Sequence, residues 1–178
     1  MPDSLQRLGL VQEGCPAVSR YVTERTDIMY QSILVPVDGS SHAEKALKVA
    51  VQLAKGTSAT LHLMTVAEFP PDNIGLFTGG TPEPFSEEER EKLAAGMKEE
   101  AHKAIDAARA AVDFSGVDVD EVVRQGRPAE LITKEAEKLG ADVIIMGSRG
   151  ISDVRGMVFG SVSHKVSHTA DCSVITVT

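Results

Sequence analysis

Asp142-Val143-Ile144-Ile145-Met146-Gly147-Ser148-Arg149-Gly150 is followed, after nine intervening residues, by Gly160-Ser161. The run from Asp142 to Met146 has the length and apolarity of a strand buried in a parallel sheet. From Val162 to Ala170 the apolar residues return at helical spacing. The order is therefore strand, glycine-punctuated loop, helix start. Unpaired backbone N–H groups and the positive end of a helix dipole converge at such a place, so it accommodates an anion. The segment is read as a phosphate cradle. Gly147, Gly150 and Gly160 are expected to allow close backbone approach and positive φ, while Ser148 and Ser161 add hydroxyl donors. Ser161 is also a candidate helix cap, Val162 would add an N–H at the helix start, and Arg149 would pair with phosphate charge. Arg155 faces either phosphate or solvent. For either glycine pair taken alone, an ordinary left-handed turn is an equally good explanation.

The opposite end of the chain holds a second informative stretch, Ile33-Leu34-Val35-Pro36-Val37-Asp38-Gly39-Ser40, an apolar strand running into an acidic turn. Asp38 at the strand's mouth is either a ribose-binding carboxylate or the opening of an Asx-type turn. The spacing G-x-x-G, nine residues, G-S resembles the nucleotide-binding signature of the universal stress protein family, in its ATP-binding branch. Residues 33–40 resemble that family's first strand and acidic turn. The resemblance covers residues 29–178, with both motifs in the expected order. It implies a Rossmann-like α/β fold with strand order 3-2-1-4-5 and ATP as ligand. It also implies an adenine pocket lined by Pro36 and Val37, with Val66 and Met146 as further walls, and Asp38 as the acidic contact on the ribose side. A homodimer made through the last strand, residues 173–177, is implied as well.

Composition narrows the alternatives. At 178 residues, with 42% hydrophobic and 25% charged residues, the chain suits one soluble domain with a sizeable core. A net charge of −8 disfavours a nucleic-acid or anionic-membrane surface. No apolar run reaches the roughly 20 residues that span a bilayer, and no secretory signal is evident. Cys15 and Cys172 have no metal-ligand spacing and are expected as free thiols in a reducing cytosol.

Taken in order, residues 1–28 have no period and are expected as a loosely ordered extension, with a partner-binding arm as the alternative. The single domain then spans 29–178. Ser32 to Val37 is the first strand. Ser41-His42-Ala43-Glu44 has the form of a capping box opening a helix that Gly56 would stop. Ala59 to Val66 is the second strand. Residues 67–85, with four prolines and three glycines, read as a long variable loop, either a lid over the ligand or a surface insertion. Ser86-Glu87-Glu88-Glu89 is a further capping box. The helix after it would bury a stripe of Leu93, Met97, Ala101, Ala104, Ile105, Ala108 and Val112, with its acidic start solvated. Val117 to Arg124 is the third strand, and Pro128 opens a helix that ends at Gly140. The alternation of strands and helices predicts a five-stranded parallel sheet with helices on both faces. Its ligand would sit at the switch point between the first and fourth strands.

The chain is thus expected to be a cytoplasmic, homodimeric, ATP-binding regulator of a stress response, with Mg²⁺ carried on the phosphates and protein partners that are not readable. Neither a Walker-type G-x-x-x-x-G-K-[ST] nor a nucleophile elbow is present, and no catalytic residue is assigned. A slow ATPase or phosphotransferase in the same pocket is the enzyme alternative. A structural dimerisation module with an empty pocket is the third. His164 and His168, four apart on a helix, could share a metal but read first as a solvated face.

Overall fold

The computed structural model describes residues 30–68, 86–151 and 160–178. The expectations for residues 1–28 (Cys15 among them), for the body of the long loop and for Arg155 lie outside the described residues. Five strands, β1 (Ser32–Pro36), β2 (Thr60–Ala67), β3 (Val119–Gln125), β4 (Val143–Gly147) and β5 (Ser173–Val177), form one sheet. Every pairing is parallel and the strand order is β3-β2-β1-β4-β5. Between the strands run α1 (Ser41–Thr57), α2 (Glu87–Ala111), α3 (Pro128–Leu139) and α4 (Ser161–Thr169).

Side chains alternate across each strand, so an apolar run fills both faces of the sheet at once. Ile33, Val35, Leu61, Leu63, Val143 and Ile145 pack on one side beneath α1 and α2. Leu34, Met64, Ile144 and Met146 pack on the other beneath α3 and α4. That is why β1 and β4 read as continuous hydrophobic stretches, whereas β2 is interrupted by His62 and Thr65. The order places β1 beside β4, so the loops after these two neighbouring strands lead to helices on opposite faces of the sheet and open a crevice.

Several local expectations are corrected. The cap of α1 is Ser40, whose hydroxyl accepts from the Ala43 N–H at 3.1 Å, and Ser41 is the first helical residue. The capping box at Ser41 is therefore absent. Helix α1 does not stop at Gly56 but runs to Thr57, and Ser58 takes the left-handed position at φ 56°. Ala67, expected to open the long loop, ends β2 opposite Gln125. The box at Ser86 and the left-handed Gly140 after α3 both form.

One interaction on the α3 face had no sequence signature. Glu135, buried on α3, accepts two hydrogen bonds from Arg124 on β3, at 2.8 and 2.7 Å, and one from Lys138 at 3.1 Å. The Arg124 guanidinium, with help from Lys138, holds the Glu135 carboxyl below its ordinary range despite burial. Glu135→Gln is expected to lower stability by about 1–2 kcal/mol at neutral pH; the figure is modest because Arg124 keeps contact with water. A depressed carboxylate stabilises the fold above its unfolded pKa and loses that contribution as pH falls through its folded value. The gap between wild type and variant in urea denaturation should accordingly close below about pH 4.

Candidate functional site

At the carboxyl end of β1 the chain turns through Asp38-Gly39-Ser40 into α1. Gly39 has φ +84°, which its lack of a Cβ allows. The Asp38 carboxylate does two jobs. Its Oδ1 accepts from the Ser40 N–H at 2.9 Å, the Asx turn, and its Oδ2 accepts from the Ile151 N–H at 3.2 Å. The Ser40 hydroxyl also lies 3.4 Å from the Arg149 carbonyl. The turn after β1 is thereby tied to the loop after β4.

Close approach explains two of the glycines. A Cβ on Gly147 would lie 2.9 Å from the Ala43 nitrogen and from the His42 carbonyl carbon. The end of β4 is thus pressed against the first turn of α1. A Cβ on Gly150 would lie 2.6 Å from Asp38 Oδ2. The expectation of positive φ at Gly147, Gly150 and Gly160 is corrected. Among the described glycines only Gly39, Gly116, Gly126 and Gly140 have it.

Ser148 is fully buried and does not line the crevice. Its N–H donates to the Val177 carbonyl at 2.8 Å, continuing the β4–β5 ladder. Its carbonyl accepts from the Gly160 N–H at 2.8 Å and from the Ser163 hydroxyl at 2.7 Å. The Ser148 hydroxyl itself has no partner among the described residues. Ser148 thus pins the two ends of the loop together through its backbone, and its buried hydroxyl does not line the crevice. Ser163, half of this clamp, was read only as part of a helix. A serine two places after Ser161 is too common a pattern to mark it.

Gly160 is the N-cap of α4, with extended backbone at φ −77° and ψ 156°, and no side chain caps the helix. The cap assigned to Ser161 is therefore corrected: Ser161 is the first helical residue. The first hydrogen bond inside α4 is His164 N–H to the Gly160 carbonyl. The N–H groups of Ser161, Val162 and Ser163 precede it and have no helical acceptor. In α1 and α2, by contrast, Ser40 and Ser86 serve as caps. Arg149 also borders the crevice, and its Nε is buried without a partner among the described residues.

The crevice has a volume of about 940 Å³. Pro36, Val37, Val66 and Met146 line its apolar floor, and Asp38, Gly147, Arg149, Gly150, Gly160, Ser161 and Val162 its polar side. Of the residues singled out from sequence, all but Ser148 meet here. Helix α2 supplies a wall that was misread. Leu93, Met97 and Ala104, expected in the core stripe, are half-buried and face the crevice, while Ala101, Ile105 and Ala108 are buried. An apolar cleft wall and an apolar core face look the same in a helical periodicity.

Among the described residues the arrangement offers backbone donors without a helical acceptor, one hydroxyl and one guanidinium, together with apolar lining. Such a combination has the chemistry to accept an anion joined to an apolar group. Among the described residues no three His, Cys, Asp or Glu gather to hold a metal ion, and no helix is long and apolar enough to cross a membrane.

The sequence profile of the universal stress protein family matches residues 29–178. Universal stress protein YxiE of Bacillus subtilis (strain 168) is 36% identical over 151 residues, covering 84% of this chain and 99% of that protein. A universal stress protein of Thermus aquaticus, encoded in the QAH/OAS sulfhydrylase 3′ region, is 36% identical over 150 residues, with 84% and 99% covered. Among solved structures, hypothetical protein MJ0577 superposes with a TM-score of 0.71 at 29% identity, covering 84% of this chain and 96% of that one. A universal stress protein in complex with cAMP superposes with a TM-score of 0.54 at 26% identity, covering 83% and 96%. On the agreement of strand order, motif spacing and these similarities, the chain belongs to the universal stress protein family.

Proposed function

We propose that the crevice binds an adenine nucleotide, ATP carried with Mg²⁺, and that the protein is a cytoplasmic, nucleotide-responsive regulator of a stress response. The observation that carries this reading is the uncapped start of α4 beside the unspent Arg149 Nε. The N–H groups of Ser161 and Val162, the Ser161 hydroxyl and Arg149 would hold the phosphates, with Gly147, Gly150 and Gly160 keeping the backbone close. Pro36, Val37, Val66 and Met146 would enclose the base. The Asp38 carboxylate accepts from the Ser40 and Ile151 N–H groups at the crevice edge, and a carboxylate's several lone pairs suit a ribose hydroxyl as well. Mg²⁺ would be carried on the phosphates and completed by water, with Asp38 or Ser161 nearby. The similarity to a family member solved with cAMP supports the adenine-nucleotide class.

We further infer pairing of two copies through β5. That strand pairs with β4 on one side, and its outer edge has no neighbour among the described residues, an arrangement that invites a second chain. The Ser173 N–H donates inward to the Asp142 carbonyl at 3.3 Å, so a serine there helps to hold the edge strand in place.

Calorimetric titration of nucleotide-stripped protein with ATP and Mg²⁺ tests the central claim. Saturable binding in the micromolar range is expected, with AMP and cAMP titrated alongside to define the phosphate requirement. A folded, nucleotide-free protein that gives no binding would remove the claim and leave a structural dimerisation module. Steady release of phosphate at saturating ATP would favour the slow ATPase over the regulator.

A further inference from the structure

Helix α4 carries a second feature, on the side turned away from its buried residues. Ser163 and Val166 face inward, whereas His164 and His168 are both exposed. Residues four apart lie one above the other on a helix. Here the two imidazole rings are stacked, with centroids 4.4 Å apart and planes 28° from parallel. A neutral imidazole offers one ring-nitrogen lone pair. Two nitrogens bound side by side on one ion lie about 3 Å apart, given metal–nitrogen bonds of about 2.0–2.1 Å at a right angle. Rotation about the terminal side-chain bond is soft for histidine, so the rings turn out of the stack to aim one nitrogen each at a shared ion while the backbone keeps its helical positions. The neighbouring Lys165 ammonium is held at 3.0 Å by Glu130 on α3.

We propose that His164 and His168 form a two-imidazole chelate for a late divalent transition-metal ion of the Cu(II) or Ni(II) type. Among the described residues no third His, Cys, Asp or Glu joins them, so the remaining coordination positions go to water. That donor count selects the metal. Zinc sites are built from three or four protein ligands, whereas Cu(II) and Ni(II) accept a square-planar set of two nitrogens and two waters, and Cu(II) stands highest in affinity for nitrogen donors. The remaining described histidines cannot imitate the pair. His62 is buried, and His42 and His102 lie on separate helices.

The site stands whether or not the crevice binds a nucleotide. Its test is a Ni(II) titration of the tag-free full chain in the absence of nucleotide, followed by calorimetry and thermal unfolding. One Ni(II) per chain is expected, with an increase in the unfolding midpoint, because the chelate ties one turn of α4 to the next. His164→Gln and His168→Gln should each weaken binding by at least about tenfold, since the second ligand binds as an intramolecular partner of the first. Both should also lose the thermal shift, whereas His102→Gln should leave both readouts unchanged. All three histidines are exposed, and far-UV circular dichroism checks that each variant is folded. Equal affinity in wild type and both α4 variants, or the absence of a saturable site, overturns the proposal. Zn(II) binding tighter than Ni(II) would overturn the assignment of the metal.

Discussion

Gly147→Ala is expected to destabilise the protein by about 2–3 kcal/mol, read as a lower urea midpoint at unchanged slope. The added methyl group would meet the Ala43 nitrogen and the His42 carbonyl carbon, both at 2.9 Å. Neither atom is the end of a flexible side chain. Both belong to the first turn of α1, so relief requires the helix to move off the sheet, where Ala43, Ala46, Leu47 and Ala50 are buried. Gly150→Ala is the internal control. Its methyl group meets only the Asp38 carboxylate, at 2.6 Å, and relief needs that side chain alone to turn, at the expense of its hydrogen bonds from the Ser40 and Ile151 N–H groups. Its cost in stability should be about 1–2 kcal/mol, below that of Gly147→Ala. Similar losses for the two variants would mean that strain in the loop, and not contact with α1, governs the first glycine.

This contrast bears on how the G-x-x-G spacing is read. From sequence, both glycines belonged to a phosphate cradle. The structure gives the first a packing reason that holds with or without ligand, because β4 ends against a helix start. The second maintains the approach of the loop to Asp38. Loss of binding in a Gly147 variant would therefore confound folding with recognition. A fair test of the cradle has to leave the β4–α1 contact intact.

The fold itself was legible because its strongest signal is redundant. Ile33 to Val35 and Val143 to Met146 are apolar on both faces, which only a sheet covered on both sides requires. Gly140 and Pro128 punctuate the chain where the backbone needs them. What failed was finer than a helical turn. Ser40 and Ser41 are both good caps, and the choice between them depends on where the Asp38 turn ends, a tertiary fact set by Ile151. Ser148 looked like a ligand donor because serine in a glycine loop usually is one. Its backbone is instead committed to Val177, Gly160 and Ser163, contacts that span up to 29 residues of sequence. The Arg124–Glu135 pair joins a strand to a helix across the sheet and leaves no periodic trace. Long-range polar contacts are thus what the sequence pattern conceals.

Ser161→Pro separates recognition from folding and is expected to have the larger functional effect. Proline is favoured at the first position of a helix, where its missing N–H breaks no helical bond and its fixed φ suits the turn. The residue before it must be extended, and Gly160 already is, at φ −77° and ψ 156°. Ser161 is exposed, so no core contact is lost. The substitution removes one backbone donor and one hydroxyl from the crevice while leaving the Ser148–Gly160–Ser163 clamp in place. Stability should stay within about 0.5 kcal/mol of wild type, as for surface changes away from special features. If a phosphate group rests on the start of α4, each charge-assisted hydrogen bond lost is worth about 1.5–3 kcal/mol. With both donors lost, ATP affinity should then fall by about 10²–10⁴-fold on calorimetric titration. A folded Ser161→Pro variant that binds ATP as tightly as wild type would place the phosphates elsewhere and leave Arg149 without its supposed partner. An affinity that falls for ATP and is unchanged for adenosine would locate the loss at the phosphates, because the apolar slot of Val37, Val66 and Met146 is untouched by the change.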